Sequence, residues 1–297
     1  MSRETLNPLH ITTEFAQFTA GIKAGFPPHS RRTLIEHATL RNDLPLEDQI
    51  SAAWDGLGES YLLDESMDAY ATTMLAFLEH CRVPVVSEQW LSLGTGPGIY
   101  ELFLAKRFPK VAVTSVELSP QQVRIQRELL DQVALKSPAV GKRLDVRQGS
   151  MTELGDDVGG DYNQILCINS LPWSSNWRAV VVGIEKALSA REGSRVFVTM
   201  GSVASRDEQG QRVISPDLDT DTLVEEFEKY GLRAKAMGTL SFIGQHGLFT
   251  PRFYASFERT SRMTENWEAR VTAGKTELTD YDAHNGLIKA TTLNSKG

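Results

Sequence analysis

The stretch Trp90-Leu91-Ser92-Leu93-Gly94-Thr95-Gly96-Pro97-Gly98-Ile99-Tyr100 constrains the fold more than any other part of the chain. An apolar run ends directly in three alternating glycines, and residues 100–108 continue at once with a helical pattern. The spacing predicts the end of a buried strand, a glycine-rich turn and the start of a helix. Glycine is needed there because the chain must reverse tightly and let a ligand lie against bare backbone, where a Cβ would collide. The following helix then turns its free amide groups and positive dipole end towards that ligand. This is the shape of a nucleotide site.

The order Gly-x-Gly-x-Gly brings the third glycine one residue earlier than in the dinucleotide fingerprint Gly-x-Gly-x-x-Gly, whose last position is filled by Ile99. The next apolar run, Val111 to Val116, closes on Glu117. An acidic side chain at the end of the second strand, ~20 residues beyond the glycines, is placed to hold ribose hydroxyls. On these residues the chain resembles the class I S-adenosylmethionine-dependent methyltransferases: Leu91 to Gly98 matches their cofactor loop Leu-x-Leu-Gly-x-Gly-x-Gly, and Glu117 stands where their ribose acid stands.

The resemblance spans about residues 85 to 260 and implies an α/β fold, a Rossmann-like doubly wound seven-stranded sheet, with S-adenosyl-L-methionine as cofactor. It implies that Gly94, Thr95, Gly96, Gly98, Glu117 and Leu118 bind that cofactor. The third strand, 143–148, would deliver Ser150 to the exocyclic amine of the adenine and Met151 to its ring. Ser150 is shorter than the Asp more frequent there. Asn169, at the end of the fourth strand, would complete the site.

Three regions follow. Residues 1–85 carry helical periodicity and no strand alternation, with helices expected at 12–24, 30–40, 46–61 and 68–80. In the resembling family such helices cover the cofactor and shape the substrate pocket, so Tyr61, with Trp54 and Tyr70, is expected at the site or in the packing of this cap. Residues 86–260 alternate strands and helices, the mark of parallel β-α-β units. In that region Ser119-Pro120-Gln121-Gln122 reads as a helix start, with Ser119 as N-cap and Gln122 at the third position of a capping box. Residues 261–297 form a polar tail that folds over the domain or a partner, with partial disorder expected from its low hydrophobicity.

Composition narrows the partners. The net charge is −7 and the pI near 5.5, which disfavours nucleic acid. No apolar run approaches the ~20 residues that cross a bilayer, and the first residues show no secretory segment, so a cytoplasmic protein without a membrane partner is expected. No metal-ligand spacing occurs among the histidines, and Cys81 and Cys167 read as separate buried thiols. A homodimer is left open.

Methyl transfer from a sulfonium asks mainly for alignment and exclusion of water. Two places on the rim are candidates for catalysis. Ser170-Leu171-Pro172-Trp173 resembles the tetrapeptide of methyltransferases acting on planar nitrogens, which implies acceptors at Ser170 and the Leu171 carbonyl and a stacking platform at Trp173. His246, between the last two strands, has a side chain suited to accept a proton. The first expectation is a methyltransferase for a small-molecule acceptor at O or N, of the kind met in bacterial metabolites and natural products. The alternatives are a nitrogen methyltransferase of a nucleic-acid base or protein amide, and a cofactor-binding protein without catalysis. Aminopropyl transfer would ask for gathered acids to hold a polyamine.

Overall fold

The computed structural model describes residues 8–24, 44–64, 73, 77, 87–154, 158–191, 193–201, 215, 217–243, 249–259, 276–282 and 287–293. The described residues begin with helices α1 (Pro8–Lys23) and α2 (Leu46–Asp64). The alternating core follows as β1 (Glu88–Leu93), α3 (Ile99–Arg107), β2 (Val111–Glu117), α4 (Pro120–Lys136), the short α5 (Pro138–Gly141), β3 (Leu144–Gln148), β4 (Gln164–Ile168), a 3-10 turn (Leu171–Trp173), α6 (Trp177–Ala187), β5 (Arg195–Gly201), α7 (Thr220–Lys229), β6 (Leu232–Ile243) and β7 (Phe249–Arg259). Seven strands join in one sheet in the order β3-β2-β1-β4-β5-β7-β6. β3, β2, β1, β4 and β5 pair in parallel, whereas β7 runs antiparallel to both β5 and β6.

The central strands are apolar on both faces because helices cover both. In β1 the period of two sends Trp90 into one core with Phe103, Leu104 and Val113, and sends Leu91 and Leu93 into the other with Cys167, Val180 and Ile184. Ser92 shares the face of Trp90, the face that α3 covers, and this places its hydroxyl against that helix. Phe15 of α1 is fully buried, stacked on Tyr100 at 5.6 Å and edge-on to Phe103 at 4.9 Å. Burial of such a side chain contributes ~2–3 kcal/mol and pins α1 to α3.

α2 is joined to the core by polar contacts. Ser119 caps α4 as expected, accepting from Gln122 N at 3.1 Å, and its hydroxyl donates to Asp55 Oδ1 of α2 at 2.5 Å. The Gln122 side chain does not close a capping box. Its Nε2 donates to the carbonyls of Trp54 and Gly58, both at 3.1 Å, where α2 kinks at Gly58 with φ 48°. A kink interrupts the helical ladder and leaves carbonyls in want of donors, and the amide supplies two.

The helix expected at 30–40 lies outside the described residues, as does that at 68–80 apart from Thr73 and Phe77, both helical and buried. In the C-terminal tail, β8 (Thr276–Asp282) and β9 (Leu287–Leu293) pair antiparallel, two strands where polarity had suggested partial disorder. Among the described residues no helix is long and apolar enough to cross a membrane.

Candidate functional site

A cavity of about 230 Å³ opens at the carboxyl ends of β1, β2, β3 and β4, beneath α2. The glycine turn forms its floor. Gly94, Gly96 and Gly98 have φ of 64°, 54° and 71°, the left-handed region that glycine enters without penalty. Gly94 also lies so close to Ser170 that a Cβ on it would stand 2.5 Å from the Ser170 Cβ. Gly98 does not line the cavity. It precedes α3, and a Cβ there would fall 2.0 Å from Gln126 Nε2, so its bareness serves packing rather than a ligand. Gln126 in turn bonds Ser115 Oγ at 2.8 Å, and Ser115 reaches Thr95 Oγ1 at 2.8 Å, which fixes the turn from below.

Glu117 is buried at the end of β2, and both its oxygens are engaged: Oε2 accepts from Gly96 N at 2.7 Å and Oε1 from Ser119 N at 2.9 Å. One carboxylate thus ties the glycine turn to the start of α4. Each oxygen has a second lone pair, so the group can accept further donors from a ligand. Burial raises its pKa, the backbone amides of Ser119, Gly96 and Leu118 work against the rise, and the Asp55 charge adds to it.

Glu101, in the first turn of α3, is 1% exposed and also lines the cavity. Its Oε1 accepts from Ser92 Oγ at 2.5 Å, while Oε2 is buried with no hydrogen-bond partner. Burial pushes this carboxyl up to about 7, with the Ser92 hydroxyl opposing the rise and the Glu117 charge adding to it. A third carboxylate descends from the cap. Glu47 Oε1 accepts from Thr152 Oγ1 at 2.6 Å, Ser150 Oγ at 2.7 Å and Ser175 Oγ at 2.9 Å. Partial burial pushes its pKa upward, but these three hydroxyls outweigh burial and hold it below the ordinary carboxylate range.

Thr95, Leu118, Ser150, Met151, Asn169, Ser170 and Trp173 line the cavity with Gly94, Gly96 and Glu117, so the structure brings together most of the residues expected from the sequence. Asn169 turns the chain at the end of β4 with φ 55° and is held by Thr199, whose carbonyl accepts from Asn169 N at 2.9 Å. Ser170 is buried above Cys167, whose thiol burial pushes up to about 12, with Ser170 opposing the rise. Leu171 is buried away from the cavity, and its carbonyl accepts from Ser174 N at 3.0 Å within the 3-10 turn. Of the expected planar-nitrogen acceptors, the carbonyl carries this one hydrogen bond and keeps a second lone pair. Trp173 meets Trp54 of α2 edge to face at 5.3 Å. The backbone of Tyr61 lies in α2, its side chain falls outside the described residues, and so does His246.

Sequence reasoning missed Glu101, Ser92, Thr152, Ser175 and the cap residues Glu47, Ile50 and Leu57. A signal existed for several. Glu47, Ile50, Trp54 and Leu57 recur at helical spacing and form the face that α2 lays over the cavity. Glu101 is the lone charge in the otherwise apolar run 99–105, directly after the glycines.

The strand order, the antiparallel β7 and the glycine turn after β1 give the chain the Rossmann-like, seven-stranded fold of the class I methyltransferases. No protein-family model and no curated protein sequence matches it. Among solved structures it is similar to the [4+2]-cyclase SpnF, 15% identical over 73% of this chain and 97% of that one, with a TM-score of 0.55. It is also similar to a SAM-dependent methyltransferase from Aquifex aeolicus, 13% identical over 65% and 94% with a TM-score of 0.47. The glycopeptide N-methyltransferase MtfA, in complex with S-adenosylhomocysteine, is 15% identical over 59% and 83% with a TM-score of 0.44. At these identities the likeness speaks to the fold alone.

Proposed function

We propose that the chain is an S-adenosylmethionine-dependent methyltransferase acting on a small-molecule acceptor. The observation that carries this reading is the charge of the cavity: Glu47, Glu101 and Glu117 line it, and no Lys, Arg or His does so among the described residues. A dinucleotide would bring a pyrophosphate against these carboxylates at a large electrostatic cost. A nucleoside bearing a sulfonium and an ammonium suits them. The glycine turn gives such a ligand bare backbone, and Glu117 keeps lone pairs for a ribose diol.

The cofactor supplies a methyl group on a sulfonium sulfur, which an acceptor takes in one displacement. The protein's task is then to align and to keep dry. α2 does both: Ile50, Trp54 and Leu57 form an apolar roof, and Trp54 with Trp173 makes an aromatic wall beside Asn169 and Ser170. A roofed cavity of this size admits a small molecule rather than a base within a duplex, and the net charge of −7 disfavours nucleic acid. A cytoplasmic location belongs to the same reading.

Calorimetric titration with S-adenosylmethionine, S-adenosylhomocysteine and NAD tests it. Micromolar binding of the two sulfur nucleosides is expected, weakened about tenfold or more by Glu117→Ala, a loss of ~1.4 kcal/mol. Binding of NAD in their place would overturn the reading.

A further inference from the structure

We infer that the methyl acceptor is an amine, attacking through its uncharged nitrogen beside Trp54 and Trp173, with Glu47 as the counter-charge for the ammonium that forms. On the methyltransferase reading above, on which this rests, oxygen and nitrogen acceptors differ in the charge they bring to the cavity. An oxygen acceptor attacks well only as its proton leaves, so negative charge gathers on the reacting atom. A neutral amine attacks with its lone pair and ends positive. Among the described residues the charged lining is Glu47, Glu101 and Glu117, with no cation to steady an oxyanion. Each of these carboxylates raises the energy of a nearby anion and lowers that of a nearby cation.

Glu47 belongs to the face of α2 that carries Ile50 and Trp54 into the cavity. Its Oε1 is held by Ser150, Thr152 and Ser175, which keep the carboxyl below its ordinary pKa and so ionised at neutral pH. Oε2 has no partner among the described residues. Ser175 follows shortly after Trp173, and Trp173 meets Trp54 at 5.3 Å, so the carboxylate is tied to the turn that carries the aromatic wall. Both indoles are half-buried and line the cavity, and an indole face attracts a cation. Ser170 is a separate sign of a donor at this end. It lines the cavity at 4% exposure, and its Oγ accepts no hydrogen bond. A buried oxygen of this kind is kept for a partner, and an amine N–H supplies one while the nitrogen lone pair stays free.

The amine enters as an ammonium and gives one proton to water. The nitrogen lone pair then forms the bond to the methyl carbon as the carbon–sulfur bond breaks, and that electron pair stays on sulfur. Positive charge passes from sulfur to nitrogen without leaving the cavity, and Glu47 lowers its energy as it develops. The product departs as the methylated ammonium.

Three probes test the assignment: tyramine, para-ethylphenol and para-hydroxyphenylpropionate, which share a phenol and carry an ammonium, no charge and a carboxylate. Their binding to the protein saturated with S-adenosylhomocysteine is measured by calorimetry for wild type, Glu47→Gln and Glu47→Asp. Methyl transfer from S-adenosylmethionine to tyramine is read by fragmentation mass spectrometry, which separates the nitrogen from the oxygen product. Wild type should bind tyramine at least tenfold more tightly than either analogue and methylate it on nitrogen. Glu47→Gln should cut that preference at least fivefold, whereas Glu47→Asp keeps the charge and should keep the preference. A looser α2 weakens all three probes alike and leaves the ratios unchanged. Tyramine bound no better than its analogues, a preference that survives Glu47→Gln or is lost as fully in Glu47→Asp, or a methyl group on the phenol oxygen or none on nitrogen overturns the assignment while the cofactor reading stands. If wild type binds no sulfur nucleoside, the cofactor reading itself fails, and this inference with it.

Discussion

Glu101→Gln is expected to act on the stability of the ligand-free protein in a way that depends on pH. The carboxyl is fully buried and titrates near 7, against 4.5 for the exposed group. The folded state therefore holds its proton more tightly than the unfolded chain does. The stability this confers is fully present below 4.5 and is lost as pH rises towards and through 7. At ~1.36 kcal/mol for each pKa unit, the loss between pH 5 and pH 8 comes to roughly 2–3 kcal/mol. Glutamine has no proton to release and is spared it. It does bury an amide donor where Oε2 stood, at a cost of ~1–3 kcal/mol, but that cost is the same at both pH values. The stability of the variant relative to wild type should thus rise by roughly 2–3 kcal/mol from pH 5 to pH 8. Urea unfolding at the two pH values reads this directly, and taking the difference between the proteins removes the slope of groups that do not interact with Glu101. A difference that stays constant within ~0.5 kcal/mol would mean that the group is not held in the folded state as described.

Two further substitutions probe the frame of the site. Gly98→Ala must place a Cβ at left-handed φ, a strain of ~1–2 kcal/mol, and push Gln126 off its buried partners Ser115 and Thr95, for ~1–3 kcal/mol more; a loss under ~1 kcal/mol in urea unfolding would show that Gln126 moves aside freely. Glu47→Gln removes the charge that gathers three hydroxyls, so hydrogen exchange of α2 should speed up several-fold relative to the sheet. Because the Glu47 pKa lies below its ordinary value, its hold on the three hydroxyls should be intact above the ordinary carboxylate range and loosen as pH falls below that range, through the depressed folded value; exchange in α2 that is indifferent to both changes would refute this hold.

What could be read from the chain and what could not divide along physical lines. β1, the glycine turn, β2 and Glu117 are legible because each is local: apolar runs, backbone freedom and one acid at a strand end lie within about one β-α-β unit. Ser119 was legible as a cap for the same reason. Gln122 was misread because its partners, the carbonyls at the kink of α2, are distant in sequence. Glu47 was missed likewise, since only the folded chain brings it to Ser150, Thr152 and Ser175. Gly98 shows the converse: it fits the motif, but its bareness is spent on Gln126.

Ser150 shows how the cap and the sheet depend on each other. The resemblance placed Ser150, shorter than the more frequent Asp, near an adenine amine, and in the structure its hydroxyl donates to Glu47. A donor committed in this way leaves an oxygen lone pair of limited reach, whereas the carboxylate it holds keeps Oε2 without a partner among the described residues. The hydroxyls after β3 and β4 therefore fix the orientation of an acid that the sheet itself lacks at this point. Glu47 thus adds an acceptor from α2 to those that the strand ends bring to this side of the cavity. A ligand that contacts Glu47 would therefore strengthen the packing of α2 over the cavity, because it binds only the arrangement in which that carboxylate faces it.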